Sequence, residues 1–135
     1  MKRELEHLLP ADIERRSFEI ISAELEGRGI VLPEETAPIV KRVIHTTADF
    51  DYAESLVFSP GVVETARAAL RAGAAVVTDT QMARAGINKT SLARFGGEVR
   101  CFMSDPDVAA GAKENGTTRA VASMDKASAL PGPLL

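Results

Sequence analysis

The chain has 135 residues, 45% apolar and 26% charged, a composition typical of a soluble globular protein with one hydrophobic core. Its net charge of −3 argues against the clustered basic surface of a nucleic-acid-binding protein, and no apolar run approaches the roughly 18 residues of a membrane span. One cysteine, Cys101, cannot form an internal disulfide, so we expect a single cytoplasmic domain over residues 1–135 with no nucleic-acid or membrane partner.

Two helices are predicted in the first third of the chain. Apolar residues recur at helical spacing from Ala11 to Gly27, and glycine is a common helix end. A second helix is predicted to open at Pro33, where the two acidic residues that follow favour the N-terminal dipole, and Pro38 falls in its first turns. This helix places His45 near its last turn.

Helices and strands alternate in the rest of the chain. The predicted elements are a helix with Ser59 as N-cap that runs to Gly73, a strand over Ala74–Thr78, a helix over Gln81–Ala85, a strand over Glu98–Met103, a helix capped at Asp105–Asp107 and closed by Asn115–Gly116, and a last helix from Thr117–Arg119 to Ala129. This order predicts an α/β fold with a parallel sheet, whose ligands bind beyond the carboxyl ends of the strands. Leu130–Leu135 reads as a turn that enters a further apolar strand, so we expect the sheet to be incomplete at the C-terminus.

Several common site patterns are missing from the sequence. It contains no phosphate-binding Gly-x-x-x-x-Gly-Lys-Ser/Thr loop, no Gly-x-Gly-x-x-Gly fingerprint, no Gly-x-Ser-x-Gly elbow and no zinc-ligand spacing. Cys101 lies in an apolar predicted strand, where a core residue is favoured over a nucleophile. We therefore expect no cofactor and no protein-bound metal.

His45 is the more informative of the two histidines. It lies in Arg42–Asp51, a segment that mixes a cation, hydroxyls and carboxylates with apolar residues, whereas His7 lies in a polar stretch and is expected to be an exposed bystander. Imidazole transfers protons near neutral pH. A histidine near a helix end can instead cap carbonyls or pair with a carboxylate, and the segment alone leaves both readings open.

Three further clusters are candidates for binding an anion. Arg15–Phe18 offers two guanidinium groups beside a hydroxyl, or simply a solvated helix face. Asp79–Met82 follows a predicted strand, where ligands bind in open α/β folds, or Asp79 or Thr80 merely caps the next helix. Thr117–Arg119 offers hydroxyls and a cation at a helix start, as an anion seat or an ordinary cap. Together they suggest a carboxylate-bearing ligand.

In this order the clusters resemble the precorrin-8X methylmutase family of cobalamin biosynthesis. The segments that carry the resemblance are Arg16–Ile21, Val43–Phe50, Ala72–Asp79, Met82, Ala85–Ile87 and Thr118–Ala120, collinear over nearly the whole chain. Gly86–Lys89 and Phe95–Val99 are most similar to the anaerobic branch, whose substrate contains cobalt. Whether cobalt is present in the natural substrate stays open at this stage.

The resemblance implies a flavodoxin-like three-layer α/β/α fold acting as a homodimer. It also implies an isomerase that moves a methyl group from carbon 11 to carbon 12 of the corrinoid (tetrapyrrole) substrate, without a cofactor or added metal. His45 matches the family's proposed acid catalyst, and Ser17 and Arg119 match substrate contacts. The residues expected near the pocket are Arg16, Arg42, Asp79, Met82 and Thr118.

Family members continue beyond the position that matches Leu135, into a further strand and loop and then more α/β units. The resemblance therefore implies that the C-terminal part of the family domain is absent from this sequence. Two other readings follow from this difference: a non-catalytic module that binds a corrinoid intermediate, and an inactive fragment.

Overall fold

The computed structural model describes residues 10–135, with side chains from Asp12 onward, so that His7 lies outside the described residues. The elements in this part of the chain are α1 (Pro10–Gly27), α2 (Ala37–Thr47), α3 (Tyr52–Ser55), α4 (Val62–Arg71), β1 (Val76–Val77), α5 (Gln81–Gly86), α6 (Lys89–Ala93), β2 (Val99–Arg100), α7 (Pro106–Glu114) and α8 (Arg119–Ser128). They form two compact units, one ending at Val63 and the other comprising Glu64–Leu135.

The first unit is built on the pairing of α1 with α2. Its core contains the buried residues Ile21 and Leu25 of α1 and Val40 and Ile44 of α2, against which Phe18, Phe50 and other apolar side chains pack. Residues 28–36 connect the two helices. The predicted helix over Ala11–Gly27 is confirmed.

The start predicted for the second helix was wrong by four residues. Residues 33–36 form a turn in which the backbone N–H groups of Thr36 and Ala37 both donate to the carbonyl of Pro33, and α2 begins at Ala37. A helix that opened at Pro33 would put Pro38 in its interior, where proline removes a backbone hydrogen bond and clashes with the preceding turn. Starting at Ala37 leaves Pro38 in the first turn, which tolerates it.

A small parallel sheet organises the second unit. Val76 pairs with Val99 and Val77 with Arg100, which confirms the position of both predicted strands, although each has only two residues. On the other side of β1, Ala75 forms a parallel bridge with Leu134. The apolar C-terminal segment therefore extends the sheet as predicted.

Helix caps in the second unit agree only partly with the sequence prediction. Thr80, rather than Asp79, caps α5, and its Oγ1 accepts from the backbone N–H of Ala83 at 3.1 Å. Ser59 does not cap α4, because Gly61, with φ of +69°, stands between it and the first helical residue. Asp105 occupies the N-cap position of α7 without capping it, because its carboxylate accepts from Lys126.

The short helices α3 and α6 were not predicted. They have four and five residues, too few to show a helical period in the sequence. α6 depends on its cap, in which Asn88 Oδ1 accepts from the N–H of Ser91 at 2.9 Å. Helices α7 and α8 pack together through side chains that are buried from solvent, namely Val108, Ala112, Ser123 and Ala127.

The fold is thus a mixture of helices with a short parallel sheet, which confirms the α/β class at this level. None of the helices between residues 10 and 135 is long and apolar enough to cross a membrane.

Candidate functional site

His45 lies next to Ser17 in the first unit. The imidazole Nδ1 and the Ser17 Oγ are 2.7 Å apart, in a half-buried hydrogen bond that joins α2 to α1. Ile44, 1% exposed, anchors the preceding position in the core, and this fixes the direction in which the neighbouring His45 side chain leaves the helix. Two of the residues predicted for the site are therefore in direct contact.

The hydrogen bond assigns different roles to the two ring nitrogens. With Nδ1 bonded to Ser17, Nε2 is the nitrogen left to meet a ligand. In the imidazolium form Nδ1–H donates to the Ser17 hydroxyl oxygen and Nε2–H becomes the donor toward the ligand. The serine hydroxyl can also donate to a neutral ring, so the pair tolerates both protonation states.

Phe18 links His45 to Arg42. The rings of Phe18 and His45 meet edge to face, with centroids 5.5 Å apart, and the Arg42 guanidinium carbon lies 4.9 Å from the Phe18 centroid. Arg42 Nη2 donates to Glu14 Oε1 at 2.7 Å. The hydrogen bond from Arg42 lowers the pKa of Glu14, and its carboxylate in turn raises the pKa of Arg42.

Two cavities flank this cluster. His45 lines one of about 400 Å³, together with Ser17, Arg16 and apolar residues that include Ile13 and Ile20. A larger groove, of about 1090 Å³, runs between α1 and α2 and is lined by Arg42 but not by His45. We take the smaller cavity as the candidate site, because His45 and Ser17 line it, next to the Arg16 side chain and an apolar surface.

The polar residues that follow His45 form local hydrogen bonds at the end of α2. Thr46 and Thr47 donate to the carbonyls of Arg42 and Val43, and the backbone N–H of Asp51 donates to Asp49 Oδ1. The two threonine hydroxyls and the Asp49 carboxylate are therefore hydrogen-bonded within the segment itself.

The other expected site residues lie in the second unit. Asp79 and Met82 follow β1, and both are exposed, Met82 with 84% of its surface accessible. Thr118 caps α8 by accepting from the N–H of Val121 at 3.2 Å. Arg119, the first residue of α8, is exposed and forms no ion pair with any residue in the described part of the chain.

Two neighbours of His45 were not among the predicted site residues. Glu14 and Phe18 lie one turn apart on the face of α1 that also carries Ser17, opposite Arg42 and His45 of α2. The spacing i, i+3, i+4 on one helix and i, i+3 on the other was visible in the sequence. The sequence did not show that these two helix faces contact each other, because it does not give the pairing of the two helices.

Comparisons with known proteins indicate the family of the chain. The family model described as precorrin-8X methylmutase matches residues 12–133. The cobalt-precorrin-8 methylmutase of Priestia megaterium is 43% identical over 87% of this chain and 52% of its own length, and that of Salmonella typhimurium is 45% identical over 89% and 59%. The crystal structure of a precorrin-8X methyl mutase from Thermus thermophilus superposes with a TM-score of 0.75 at 37% identity, covering 87% of this chain and 55% of that one.

The chain therefore spans little more than half the length of the curated relatives that it matches. The family match, by contrast, covers most of this chain and includes the Ser17–His45 pair. On these grounds the chain belongs to the precorrin-8X methylmutase family.

Proposed function

We propose that this chain provides the acid group and part of the substrate pocket of a cobalt-precorrin-8 methylmutase. The reaction would move the methyl group of the corrinoid macrocycle from carbon 11 to carbon 12. The observation that carries the proposal is the Ser17–His45 hydrogen bond at the wall of a mainly apolar cavity, in a chain of this family.

The proposed methyl migration requires a positioned substrate and one proton donor. One carbon–methyl bond breaks and another forms within the same molecule, so that substrate and product contain the same atoms and no oxidant or second substrate takes part. In our proposal Nε2–H of protonated His45 donates to the macrocycle while the methyl group migrates, and the proton returns to Nε2 as the product forms. Ser17 holds Nδ1 throughout.

The substrate has a flat apolar ring edged with carboxylates. Ile13 and Ile20, 52% and 55% exposed at the cavity, offer apolar surface to the ring. Arg16, which lines the same cavity, and Arg42 beside it would bind carboxylates of the ring periphery.

Four residues of the second unit complete the proposed set. Arg119 and the N-terminus of α8 at Thr118 would bind further carboxylates, and Asp79 and Met82 would contact the substrate beyond the end of β1. Each of these assignments rests on the match of its position to the family pattern.

The finer architecture is also a proposal. We propose that both compact units belong to one precorrin isomerase-like domain of flavodoxin-like α/β/α type, and that it acts in the cytoplasm as a homodimer. The match of one family model across both units supports the single domain. Sedimentation equilibrium would test the dimer directly.

The deciding experiment is an absorbance assay. The purified chain is mixed with cobalt-precorrin-8, and in parallel with the cobalt-free substrate, and the spectrum is followed toward that of the product. We expect turnover, with a loss of about 10²- to 10⁴-fold in His45→Ala, the range that a general acid contributes. His7→Ala removes the other imidazole and serves as the control.

Substrate binding without any spectral conversion would instead favour the corrinoid-binding module. A chain that neither binds nor melts cooperatively would indicate an inactive fragment. Turnover that persists in His45→Ala would remove His45 from the mechanism.

A further inference from the structure

The charged group next to the proposed acid is an ion pair that crosses from α1 to α2. Glu14 and Arg42 are 28 residues apart in sequence, and their side chains are about half exposed, 50% and 54%. Surface pairs of this kind add at most about 1 kcal/mol to stability and often nothing measurable. A contribution to stability is therefore a poor explanation for its position, and its neighbours are more informative.

Phe18 makes this pair part of the His45 environment. One face of its ring receives the Arg42 guanidinium, and the ring also meets the His45 imidazole edge to face. Arg42 and a protonated His45 are thus two cations held against one aromatic ring. Two like charges at such short range disfavour each other unless a carboxylate offsets one of them.

We infer that Glu14 is a positioning residue of this site, which holds Arg42 on the Phe18 ring and offsets the charge of Arg42 beside His45. The inference rests on the proposed function only for its catalytic meaning. The interaction itself is a property of the folded chain.

The charged groups around His45 in the first unit agree with this assignment. On α1 these are Glu14 and Arg16, on its own helix Arg42, and in the segment after α2 Asp49, whose Oδ1 already accepts from a backbone N–H. The charge of His45 helps to lower the pKa of Glu14, after the larger effect of the Arg42 hydrogen bond.

The test is an NMR titration of the His45 ring, which needs no substrate. Nitrogen-15 and carbon-bound proton signals of the imidazole are followed from pH 4 to 9 in the full chain, and a His7→Gln variant assigns the two histidines. In Glu14→Gln we expect the midpoint of the His45 titration to move to lower pH by about 0.3 to 0.7 unit in low salt, and by less in 1 M salt. Arg42→Gln should move it the opposite way.

Glu24→Gln is the matched control. Glu24 also lies on α1, is equally exposed at 50%, and pairs with Arg28, but it stands ten residues, or about 15 Å of helix, away from Glu14. It should leave the His45 midpoint unchanged. A midpoint in Glu14→Gln equal to that of the unchanged chain would overturn the inference.

The catalytic consequence can be judged separately. If the chain is active, the alkaline limb of its pH–rate profile should move to lower pH in Glu14→Gln, because the protonated ring is lost at lower pH. An NMR shift in a chain without turnover would leave the positioning role intact and reject the proposed function. An NMR shift without a movement of the pH–rate profile in an active chain would reject the assignment of His45 as the acid.

Discussion

Ser17 and His45, 28 residues apart, are joined by a hydrogen bond of 2.7 Å between Oγ and Nδ1. The bond joins the N-terminal half of α1 to the last turn of α2. Through this bond the packing of the two helices sets the orientation of the imidazole ring and leaves Nε2 for a ligand. Orientation of the ring, more than its mere presence, is therefore the property of this site that mutation can test.

We predict that Ser17→Ala lowers kcat by about 10- to 100-fold while the chain remains folded. The variant keeps the imidazole but frees its rotation, and a misplacement of the order of 1 Å can cost about 100-fold in rate. The measurement is steady-state turnover of cobalt-precorrin-8, with the thermal melt as a check on folding. The loss should be smaller than that of His45→Ala.

Ser22→Ala is the control for this prediction. Ser22 lies on the same helix and also uses its hydroxyl, which donates to the carbonyl of Phe18 at 2.6 Å, but it makes no contact with His45. Equal losses in the two variants would mean that a hydroxyl on α1 matters for the helix and has no specific role at His45.

The first unit shows what the sequence could and could not predict. The extent of α1 and the place of His45 near a helix end followed from the helical period and the glycine stop. The contact between Ser17 and His45 did not, because a period shows which face of each helix is buried without giving the register of one helix against the other. The start of α2 was ambiguous for a related reason, since Pro33 and Pro38 both suit a first turn.

In the second unit the order of elements was easier to predict than their lengths. The runs around Val76 and Val99 are apolar enough to mark strands, but the ladder between them has only two residue pairs. The length of a strand depends on where its neighbouring strand in the same chain bends away. The residue types within the strand do not determine that position. Likewise Asp105 has the right residue type for an N-cap, yet its carboxylate bonds to Lys126.

Gly97 and Gly111 should respond to alanine in opposite directions. A Cβ at Gly97 would lie 2.7 Å from the carbonyl oxygen of Ala74 and 2.8 Å from Cδ1 of Leu92, so a backbone segment would have to move. We predict a loss of at least about 2 kcal/mol for Gly97→Ala, as for overpacking in a core. Gly111 lies inside α7 with no atom within 4 Å of its Cβ position, and alanine there should add about 0.5 to 1 kcal/mol.

Both values can be measured by urea denaturation followed by circular dichroism at 222 nm. Stability retained in Gly97→Ala would show that the loop before β2 can move away from Ala74. A loss in Gly111→Ala would show that α7 has a neighbour at that face.

Ser123→Ala should stabilise the chain. Ser123 is 0% exposed between α7 and α8, and its Oγ has no hydrogen-bond partner among the residues that the structure describes. A buried hydroxyl without a partner costs about 1 to 3 kcal/mol, so its removal should raise the free energy of unfolding by about 1 kcal/mol once the small void is allowed for.

Ser128→Ala provides the comparison, because its exposed hydroxyl donates to the carbonyl of Asp125 and its loss should be nearly neutral. The same urea experiment measures both variants. A Ser123→Ala protein less stable than the parent would mean that the Oγ finds a partner in solution.

Lys126 makes the clearest prediction for pH. Its Nζ donates to Asp105 Oδ2 and to Asp107 Oδ2, both at 2.7 Å, and lies 5.2 Å from the centroid of Phe102. The hydrogen bonds that Lys126 donates to Asp105 and then Asp107 raise the pKa of Lys126 above its ordinary value, and the bond to Asp107 lowers the pKa of that carboxyl. The cluster therefore ties the start of α7 to the last turn of α8.

We predict that Lys126→Met, which removes the charge and keeps an unbranched apolar side chain, lowers stability most within a window of pH. Because the folded-state pKa of Asp107 is depressed, its contribution is present above the unfolded value, about 4, and is lost as acid protonates the folded carboxylate. Because that of Lys126 is raised, its contribution is present below about pH 10 and is lost as alkali removes the proton.

The stability difference between the parent chain and Lys126→Met should thus be largest from about pH 5 to 9 and shrink on both sides, as measured by thermal melts in low salt. Lys113→Met is the control. It removes the same charge from α7, where Lys113 forms no ion pair with any residue between 12 and 135, so its effect should not follow this window. A Lys126→Met effect that persists unchanged at pH 3 would mean that the contact of the ammonium group with the Phe102 ring, and not its pairing with the two carboxylates, stabilises the helix pair.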